Sequence, residues 1–281
     1  MNILEAIFLG VVQGLTEFLP VSSSGHLVLL QKVINIKEPS LFFDTMLHAG
    51  TLTSVFVVLW KDIWEILKKP FQKLTLFLII ATVPAVIAAL TFKDSIENIF
   101  ISAKFLGWCF LFTSVLLVTA EILSRKALNN IGPKKADSMK WYDALFIGIM
   151  QAIAIPPGIS RSGATISGAL FCKLDRDFAA RFSFLMSIPA ILGAVILQTK
   201  DLINAGAEQT VSANAVQAAG AANVNTAAVI AGTLTAAVVG FFAVKFILKI
   251  IKEKSLFGFA IYTGVLGILV LLDQFVTRIV F

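Results

Sequence analysis

Long apolar runs dominate the chain and indicate its architecture. Six of them are long enough to cross roughly 30 Å of hydrocarbon as helices. They cover approximately residues 41–60, 74–92, 104–123, 178–199, 226–248 and 256–277. The pattern therefore predicts an all-α integral membrane protein with six transmembrane helices in a single membrane domain, 1–281.

Two further apolar segments, 3–34 and 143–173, are interrupted in the middle. The interruptions read LPVSSSGH at 19–26 and IPPGISRSGAT at 155–165, and each flanking half is too short to span. We expect two re-entrant helix-loop-helix hairpins. Loop backbone at membrane depth must be buried in protein or line a wet cavity, so both hairpins should face the protein interior.

The two interrupted segments are copies of one another at a constant offset. AIFLGVVQGLTEFLPVSSSG (6–25) aligns without a gap on ALFIGIMQAIAIPPGISRSG (144–163), which defines repeat one as 1–125 and repeat two as 141–281. Three spans separate the copies, so the second enters from the opposite face. This inverted-topology repeat should bring both loops together near the midplane, where such proteins bind ligands.

Small residues repeated at this spacing are also typical of simple helix packing. That reading explains Gly10 and Gly148. It leaves Glu17, His26 and Arg161 unexplained, because ionisable groups at membrane depth are costly and usually functional.

Composition supports the membrane assignment. The chain is 58% hydrophobic and only 14% charged, which excludes an ordinary soluble enzyme. Its net charge of +6 does not indicate a nucleic-acid partner, because the basic residues form short clusters between apolar runs. No cleaved signal peptide is expected, since the N-terminus lacks a basic region.

The basic clusters predict the orientation of the chain. They fall in four connections on one side, which should be cytoplasmic: Lys61/Lys68/Lys69/Lys73, Arg125/Lys126/Lys134/Lys135/Lys140, Lys173/Arg176/Arg181 and Lys249/Lys252/Lys254. The other side should hold both termini, a turn at 93–103 and an outer loop at 200–225.

The first interruption carries a carboxylate, hydroxyls and an imidazole. Gln13 and Glu17 share one helix face at i, i+4 spacing. Pro20 ends that helix, and Ser22-Ser23-Ser24-Gly25 opens the next, with His26 on its first turn.

The second interruption carries the fixed positive charge. Pro156-Pro157-Gly158 breaks the helix, Ser160-Arg161-Ser162 begins another, and Thr165 follows one turn later. The two loops together offer a guanidinium, hydroxyls and two helix N-termini, which suit a phosphate or diphosphate. A carboxylate and an imidazole beside them can hold a divalent cation, move protons or attack phosphorus.

Several of these residues have simpler interpretations. Glu17 can be a structural carboxylate paired with Arg161, and His26 a satisfied core histidine. Ser22 and Ser167 are better read as helix caps. Asp44 and His48 are either supporting partners of the site or a helix-end pair.

The motifs QGLTEFLPVSSSGH (13–26) and PGISRSGATISG (157–168) resemble the two signatures of the bacitracin-resistance-type undecaprenyl-diphosphate phosphatases. FDTMLHAGT (43–51) and FSFLMSIPA (182–190) are also similar to that family, over nearly the whole chain except 200–225. The resemblance implies a hydrolase that removes the terminal phosphate of a C55 prenyl diphosphate. It also implies a bacterial cytoplasmic membrane, a site open to the periplasm, a divalent cation (Mg²⁺ or Ca²⁺) and a homodimer.

By position in the motifs, the resemblance implies three catalytic residues, Glu17, His26 and Arg161. The expected substrate-binding residues are Gln13, Ser23, Ser24, Gly158, Ser160, Ser162 and Thr165. Glu17 is the candidate metal ligand, and Gln13 stands where some members have a second glutamate. His26, Ser23 and a water activated by Glu17 all stay open as the group that attacks phosphorus.

Two other classes compete with this interpretation. The lipid phosphatases with PSGH and SRxxxxxHxxxD motifs are excluded, because Ser167 stands where their histidine is required and no aspartate follows. An inverted-repeat transporter or flippase for a prenyl phosphate lipid is the second. A carrier gains nothing obvious from Glu17 and His26 beside a phosphate cradle.

Overall fold

The computed structural model describes residues 1–36, 41–130, 132–208 and 225–281. These residues are almost entirely helical. The α-helices are α1 (Ile3–Thr16), α2 (Ser23–Val33), α3 (Leu41–Val58), α4 (Trp60–Lys68), α5 (Lys73–Thr91), α6 (Lys93–Ser102), α7 (Leu106–Asn130), α8 (Trp141–Ile153), α9 (Arg161–Phe171), α10 (Arg176–Glu208), α11 (Thr226–Glu253) and α12 (Phe257–Leu272). A 3₁₀ turn at Ala136–Ser138 and a π-helical turn at Asp273–Thr277 complete the described part.

Five of these helices, α5, α7, α10, α11 and α12, are long and apolar enough to cross a membrane, and a sixth span is reached if α3 and α4 are taken together. The prediction of a multi-pass, all-helical membrane protein is thus confirmed. The α3–α4 pair bends by 78° at its break. On α4, Trp60 and Trp64 stack at 5.6 Å and Lys68 lies over the Trp64 ring, a composition typical of a helix at the membrane surface.

Both interrupted segments are broken helices, as the sequence predicts. The first break lies between α1 and α2, where Ser22 adopts a left-handed backbone conformation with φ of 69°. The second lies between α8 and α9, where Gly158 has a φ of 96°. Pro20 and the Pro156-Pro157 pair stand in these breaks, where the missing N–H groups of proline leave no helical hydrogen bond unmade.

The broken helices pack tightly against full-length spans. Helix α1 lies against α11, and α8 lies against α5. Each crossing uses a glycine: a Cβ on Gly10 would lie 2.5 Å from the Gly232 carbonyl oxygen, and one on Gly148 would lie 2.4 Å from the Ala81 carbonyl oxygen. The packing role expected for both glycines is confirmed.

The four basic connections meet at one end of the bundle. Hydrogen bonds and ion pairs join them in sequence: Lys73 to the Asp137 carbonyl, Lys134 to Lys173 through their backbones, Arg176 to the Lys254 carbonyl, and Arg181 to Asp62. The same end holds the buried carboxylate of Glu121, which pairs with Arg125 and Arg176 and accepts the N–H of Leu256.

Two sequence-based boundaries were wrong. The segment 93–103 is not a simple turn, because residues 93–102 form helix α6, which ends at Ala103 in the left-handed conformation. Helix α10 continues to Glu208, past residue 200 where the outer loop was expected to begin. The rest of that loop, 209–224, lies outside the described residues.

Replacing Gly148 with alanine tests the α5–α8 crossing. The new Cβ would press on backbone at Ala81, which cannot rotate away, so we expect Gly148→Ala to destabilise the protein by about 1–3 kcal/mol. Gly193→Ala is the matched control, since a Cβ there meets nothing within 4 Å and alanine favours the helix. The thermal midpoints of the two detergent-purified variants should separate, and equal midpoints would contradict the close crossing.

Candidate active site

Glu17 lies at the centre of the polar cluster formed by the two hairpin loops. Its Oε1 accepts a hydrogen bond from Arg161 Nη2 at 2.6 Å. Its Oε2 accepts from Ser23 Oγ at 2.6 Å and from Gln13 Nε2 at 2.9 Å, and His48 Nε2 lies 3.4 Å from the same oxygen. Four side chains from four different helices therefore converge on one buried carboxylate.

The local sequence explains how these side chains come together. Gln13 and Glu17 lie one turn apart, with Glu17 capping the end of α1. Ser23 and Arg161 are the first residues of α2 and α9, so each lies directly after one of the two helix breaks. His48 reaches the cluster from the middle of α3.

Direct contacts hold the two loops against each other. Ser22 Oγ accepts the N–H of Gly25 at 3.3 Å and the N–H of Gly158 at 3.1 Å. Ser162 Oγ donates to the Leu19 carbonyl oxygen at 2.9 Å. A Cβ on Gly25 would lie 2.8 Å from the Cα of Gly158, so only glycine permits this approach. Ser22 caps α2 as predicted and also bridges the loops.

Thr113 of α7 also holds the second loop, and this role was not predicted from the sequence. Its hydroxyl donates to the Gly158 carbonyl oxygen and accepts the N–H of Ser160, both at 3.0 Å. Thr113 is fully buried. It lies in an unbroken apolar span with no motif around it, so nothing local distinguishes it from an ordinary threonine bonded to its own helix.

His26 does not join the Glu17 cluster through any hydrogen bond that the structure records. Its Nδ1 lies 2.7 Å from the Ser22 carbonyl oxygen and its Nε2 lies 2.7 Å from the Tyr262 hydroxyl of α12. The ring lies nearly parallel to that of Tyr262, with the centroids 5.6 Å apart, and forms a T-shaped contact with Phe110. Both ring nitrogens of His26 thus have hydrogen-bond partners, as expected for a structural core histidine. His26 contacts the serine turn rather than the Glu17 carboxylate.

The other expected substrate-binding residues mostly shape the loops. Ser160 caps α9 through the N–H of Gly163, and its hydroxyl lies 3.2 Å from that of Ser162. Thr165 is fully buried and its hydroxyl lies 2.6 Å from that of Ser183. Ser24 is half-buried, with its hydroxyl 3.4 Å from that of Ser22. A direct role for Ser24, Ser160, Ser162 and Thr165 at a diphosphate stays a prediction.

Asp44 and His48 occupy different positions relative to the cluster. His48 Nδ1 donates to the backbone carbonyl of Asp44 at 2.7 Å, which orients the ring so that Nε2 faces Glu17. The Asp44 carboxylate instead accepts from Gln31 at 2.6 Å. His48 is therefore a partner of the site, whereas Asp44 supports it mainly through its backbone.

Two polar atoms in the cluster are buried without a hydrogen-bond partner among the described residues. They are Arg161 Nη1 and Gln13 Oε1. A buried donor left unpaired costs about 1–3 kcal/mol, so such groups in a cleft indicate where a ligand binds. The Arg161 and His48 side chains are 18% and 25% exposed, which leaves an approach to the cluster open.

The residues present do not by themselves fit a resident divalent cation. Mg²⁺ and Ca²⁺ need six or more oxygen ligands, several of them carboxylates or water. Both oxygens of Glu17 are already engaged, one of them by a guanidinium. The described residues contain no group of three or more acidic, histidine or cysteine side chains arranged for a metal.

The fold and site together define a multi-pass membrane protein with a buried cluster of charged and polar side chains at two helix breaks. Comparison with known proteins gives the family. The profile described as "Bacitracin resistance protein BacA" matches residues 6–269, and the chain belongs to this family.

Curated relatives cover almost the full length. The chain is 46% identical over 275 residues to a Bacillus cereus protein named undecaprenyl-diphosphatase 3, covering 98% of each. It is 43% identical over 274 residues to the undecaprenyl-diphosphatase of Carboxydothermus hydrogenoformans, again covering 98% of each. The undecaprenyl-diphosphatase of Halothermothrix orenii is 39% identical over 97% of this chain and 98% of its own.

Proposed function

We propose that this protein hydrolyses undecaprenyl diphosphate to undecaprenyl phosphate and inorganic phosphate. This reaction recycles the lipid carrier for peptidoglycan synthesis and confers resistance to bacitracin. Relatives named for this activity cover nearly the whole chain, and the buried cluster supplies the groups that the chemistry requires.

The observation that carries the proposal is the arrangement around Glu17. Ser23 Oγ donates to the carboxylate at 2.6 Å, which is the geometry of a nucleophile beside its base. Arg161 presents an unpartnered Nη1 next to the same carboxylate. A guanidinium at this position suits the oxygens of a terminal phosphate, whose charge it stabilises during transfer.

In the proposed reaction, Ser23 Oγ attacks the terminal phosphorus while Glu17 takes the hydroxyl proton. The bond from phosphorus to the bridging oxygen breaks, and undecaprenyl phosphate leaves. Water then attacks the phosphoserine and the bond from phosphorus to Oγ breaks. Oγ takes back the proton held by Glu17, and both hydrogens of the water leave with inorganic phosphate, which restores the serine and the carboxylate.

Contacts favour Ser23 over the other candidate nucleophiles. His26 Nε2 is held by the Tyr262 hydroxyl, and no recorded contact links it to Glu17. A water activated directly by Glu17 must displace Ser23 or Gln13 from Oε2, because both already donate to that oxygen. His48, 3.4 Å from Glu17, is placed to orient the carboxylate.

The divalent cation belongs, in this proposal, to the substrate. Diphosphate oxygens chelate Mg²⁺ strongly, and proteins often bind this ion through few of their own ligands plus substrate phosphates. Glu17 is the nearest protein carboxylate that such a complex would meet. Phosphate release with and without a chelator tests this expectation, alongside Mg²⁺ binding by the protein without lipid.

The architecture in the membrane is an inverted repeat with two re-entrant hairpins. Helix pairing supports it: α1 packs on α11 and α3 on α11, while their repeat counterparts α8 and α10 pack on α5. Exchanging the two halves of the chain therefore maps one set of contacts onto the other. The joined basic connections then mark the cytoplasmic end, and the cluster opens to the periplasmic side of the bacterial cytoplasmic membrane. A homodimer is expected from the family resemblance.

A lipid carrier is the competing function. Broken helices in an inverted repeat are typical of secondary transporters. A carrier for a prenyl phosphate lipid has no use for a serine hydroxyl donating to a carboxylate, which is why hydrolysis is preferred.

Arg161→Lys should lower kcat/KM about ten- to hundredfold while the protein remains folded. Lysine offers a point charge in place of a planar fork and cannot hold Glu17 and a phosphate at once. Arg125→Lys is the control, because Arg125 is exposed at the basic end of the bundle. Phosphate release from undecaprenyl diphosphate measures both, and near-normal turnover of Arg161→Lys would remove this residue from the site.

Glu17→Gln separates hydrolase from carrier. The variant keeps the side-chain shape and one acceptor but loses the base, so hydrolysis should fall about a hundredfold or more. Binding of a non-hydrolysable prenyl bisphosphonate should change far less. Wild-type rates in the variant would make Glu17 structural. A wild-type protein that binds the bisphosphonate but never releases phosphate would instead favour the carrier.

Membrane orientation gives a further prediction. Single cysteines introduced at positions 64 and 130 should be shielded from an impermeant thiol reagent in intact cells, while one at 212 should react. The background for this experiment is Cys109→Ser/Cys172→Ser, which removes both natural cysteines. Labelling at 130 from outside would invert the proposed topology.

A further inference from the structure

The imidazole of His26 is held by three neighbours that leave one consistent proton arrangement. Nδ1 lies 2.7 Å from the Ser22 carbonyl oxygen, which can only accept, so Nδ1 carries a hydrogen. In the neutral ring Nε2 is then an acceptor, and the Tyr262 hydroxyl, 2.7 Å away, must donate to it. The His26 and Tyr262 rings are nearly parallel, with 6° between their planes and 5.6 Å between their centroids, and Phe110 meets the imidazole in a T-shaped arrangement.

The carbonyl that receives the Nδ1 hydrogen belongs to the most constrained residue of the site. Ser22 has a φ of 69°, a conformation that costs a non-glycine residue energy and persists only where neighbours enforce it. Its carbonyl accepts from both the backbone N–H and the ring of His26, and its hydroxyl accepts from Gly25 and Gly158. The next residue, Ser23, is the one that donates to Glu17.

We propose that Tyr262 is a positioning residue for hydrolysis, because its hydroxyl fixes the Nδ1–H form of His26 and so holds the Ser22 turn that presents Ser23 to Glu17. The inference rests on the proposed function. Tyr262 contacts His26 and not the Glu17 cluster, so its effect on the reaction passes through the ring. A histidine free to protonate Nε2 instead loses the bond from its ring to the Ser22 carbonyl, which removes one of the hydrogen bonds that hold the turn.

The hydroxyl can be separated from the packing of the ring. Tyr262→Phe keeps the aromatic ring and removes only the donor, whereas Tyr262→Ala removes both. Tyr142→Phe is the matched control: it is the only other tyrosine in the chain, and it lies on α8 beside Trp141 and Lys140.

The test combines turnover with the tautomer of His26. The chain has two histidines, so ¹⁵N-histidine labelling gives two imidazole signals, and His48→Gln assigns them. Tyr262→Phe should lose the pure Nδ1–H signature of His26, and kcat should fall about tenfold with KM within twofold. Tyr142→Phe should match wild type in both readouts, and equal thermal midpoints should show that Tyr262→Phe is folded.

The outcomes distinguish this inference from the function on which it rests. A wild-type tautomer or wild-type kcat in Tyr262→Phe overturns the positioning role, even if the wild-type enzyme hydrolyses the lipid. A change in KM without a fall in kcat likewise overturns it. So does a fall in kcat of the same size in Tyr142→Phe. Absence of phosphate release from the wild-type protein overturns the proposed function instead, and the spectra then still report whether Tyr262 sets the tautomer.

Discussion

The buried pair of Glu17 and Arg161 is the constraint on which the rest of the site depends. A carboxylate or a guanidinium alone at membrane depth is strongly disfavoured, but each satisfies the other at 2.6 Å. The two residues come from different hairpins, so the loops must touch before either charge is tolerated. Two features bring the loops into contact: the close backbone approach of Gly25 to Gly158 and the hydrogen bond from the Gly158 N–H to Ser22 Oγ. The close packing of the loops, the serine cap that bridges them and the Glu17–Arg161 ion pair therefore depend on one another.

The helix breaks and the cluster core could be predicted because their signals are local. Proline, glycine and serine mark both breaks, and the i, i+4 spacing of Gln13 and Glu17 places both on one face of α1. The partners from distant helices could not be predicted in this way. Tyr262, Thr113 and the Glu17 contact of His48 come from full-length spans whose rotation is set by packing. Helical spacing predicts the face of α2 on which His26 lies, but not the side chain that its ring contacts.

The two hairpins contribute different side chains to the cluster. At the offset of 138, Glu17 corresponds to Ile155, Ser23 to Arg161 and His26 to Ala164. One loop thus supplies the carboxylate and hydroxyl, and the other supplies the guanidinium. Gln151, the counterpart of Gln13, is buried with neither amide atom hydrogen-bonded among the described residues. The two hairpins share a sequence pattern, while their charged side chains make a single cluster that neither hairpin builds alone.

The Glu17–Arg161 contact also bears on how the cycle ends. In the proposed cycle the terminal phosphate binds first at the unpartnered Nη1 of Arg161, and to take Nη2 as well it must displace the Glu17 carboxylate. Glu17 is tethered a few ångströms away, so its effective concentration far exceeds that of free phosphate in the surrounding water. Once the phosphorus–oxygen bonds are broken, the carboxylate can retake the guanidinium and drive the inorganic ion out. In the proposed cycle the same carboxylate therefore competes with the product phosphate for Arg161, and this competition would limit product inhibition.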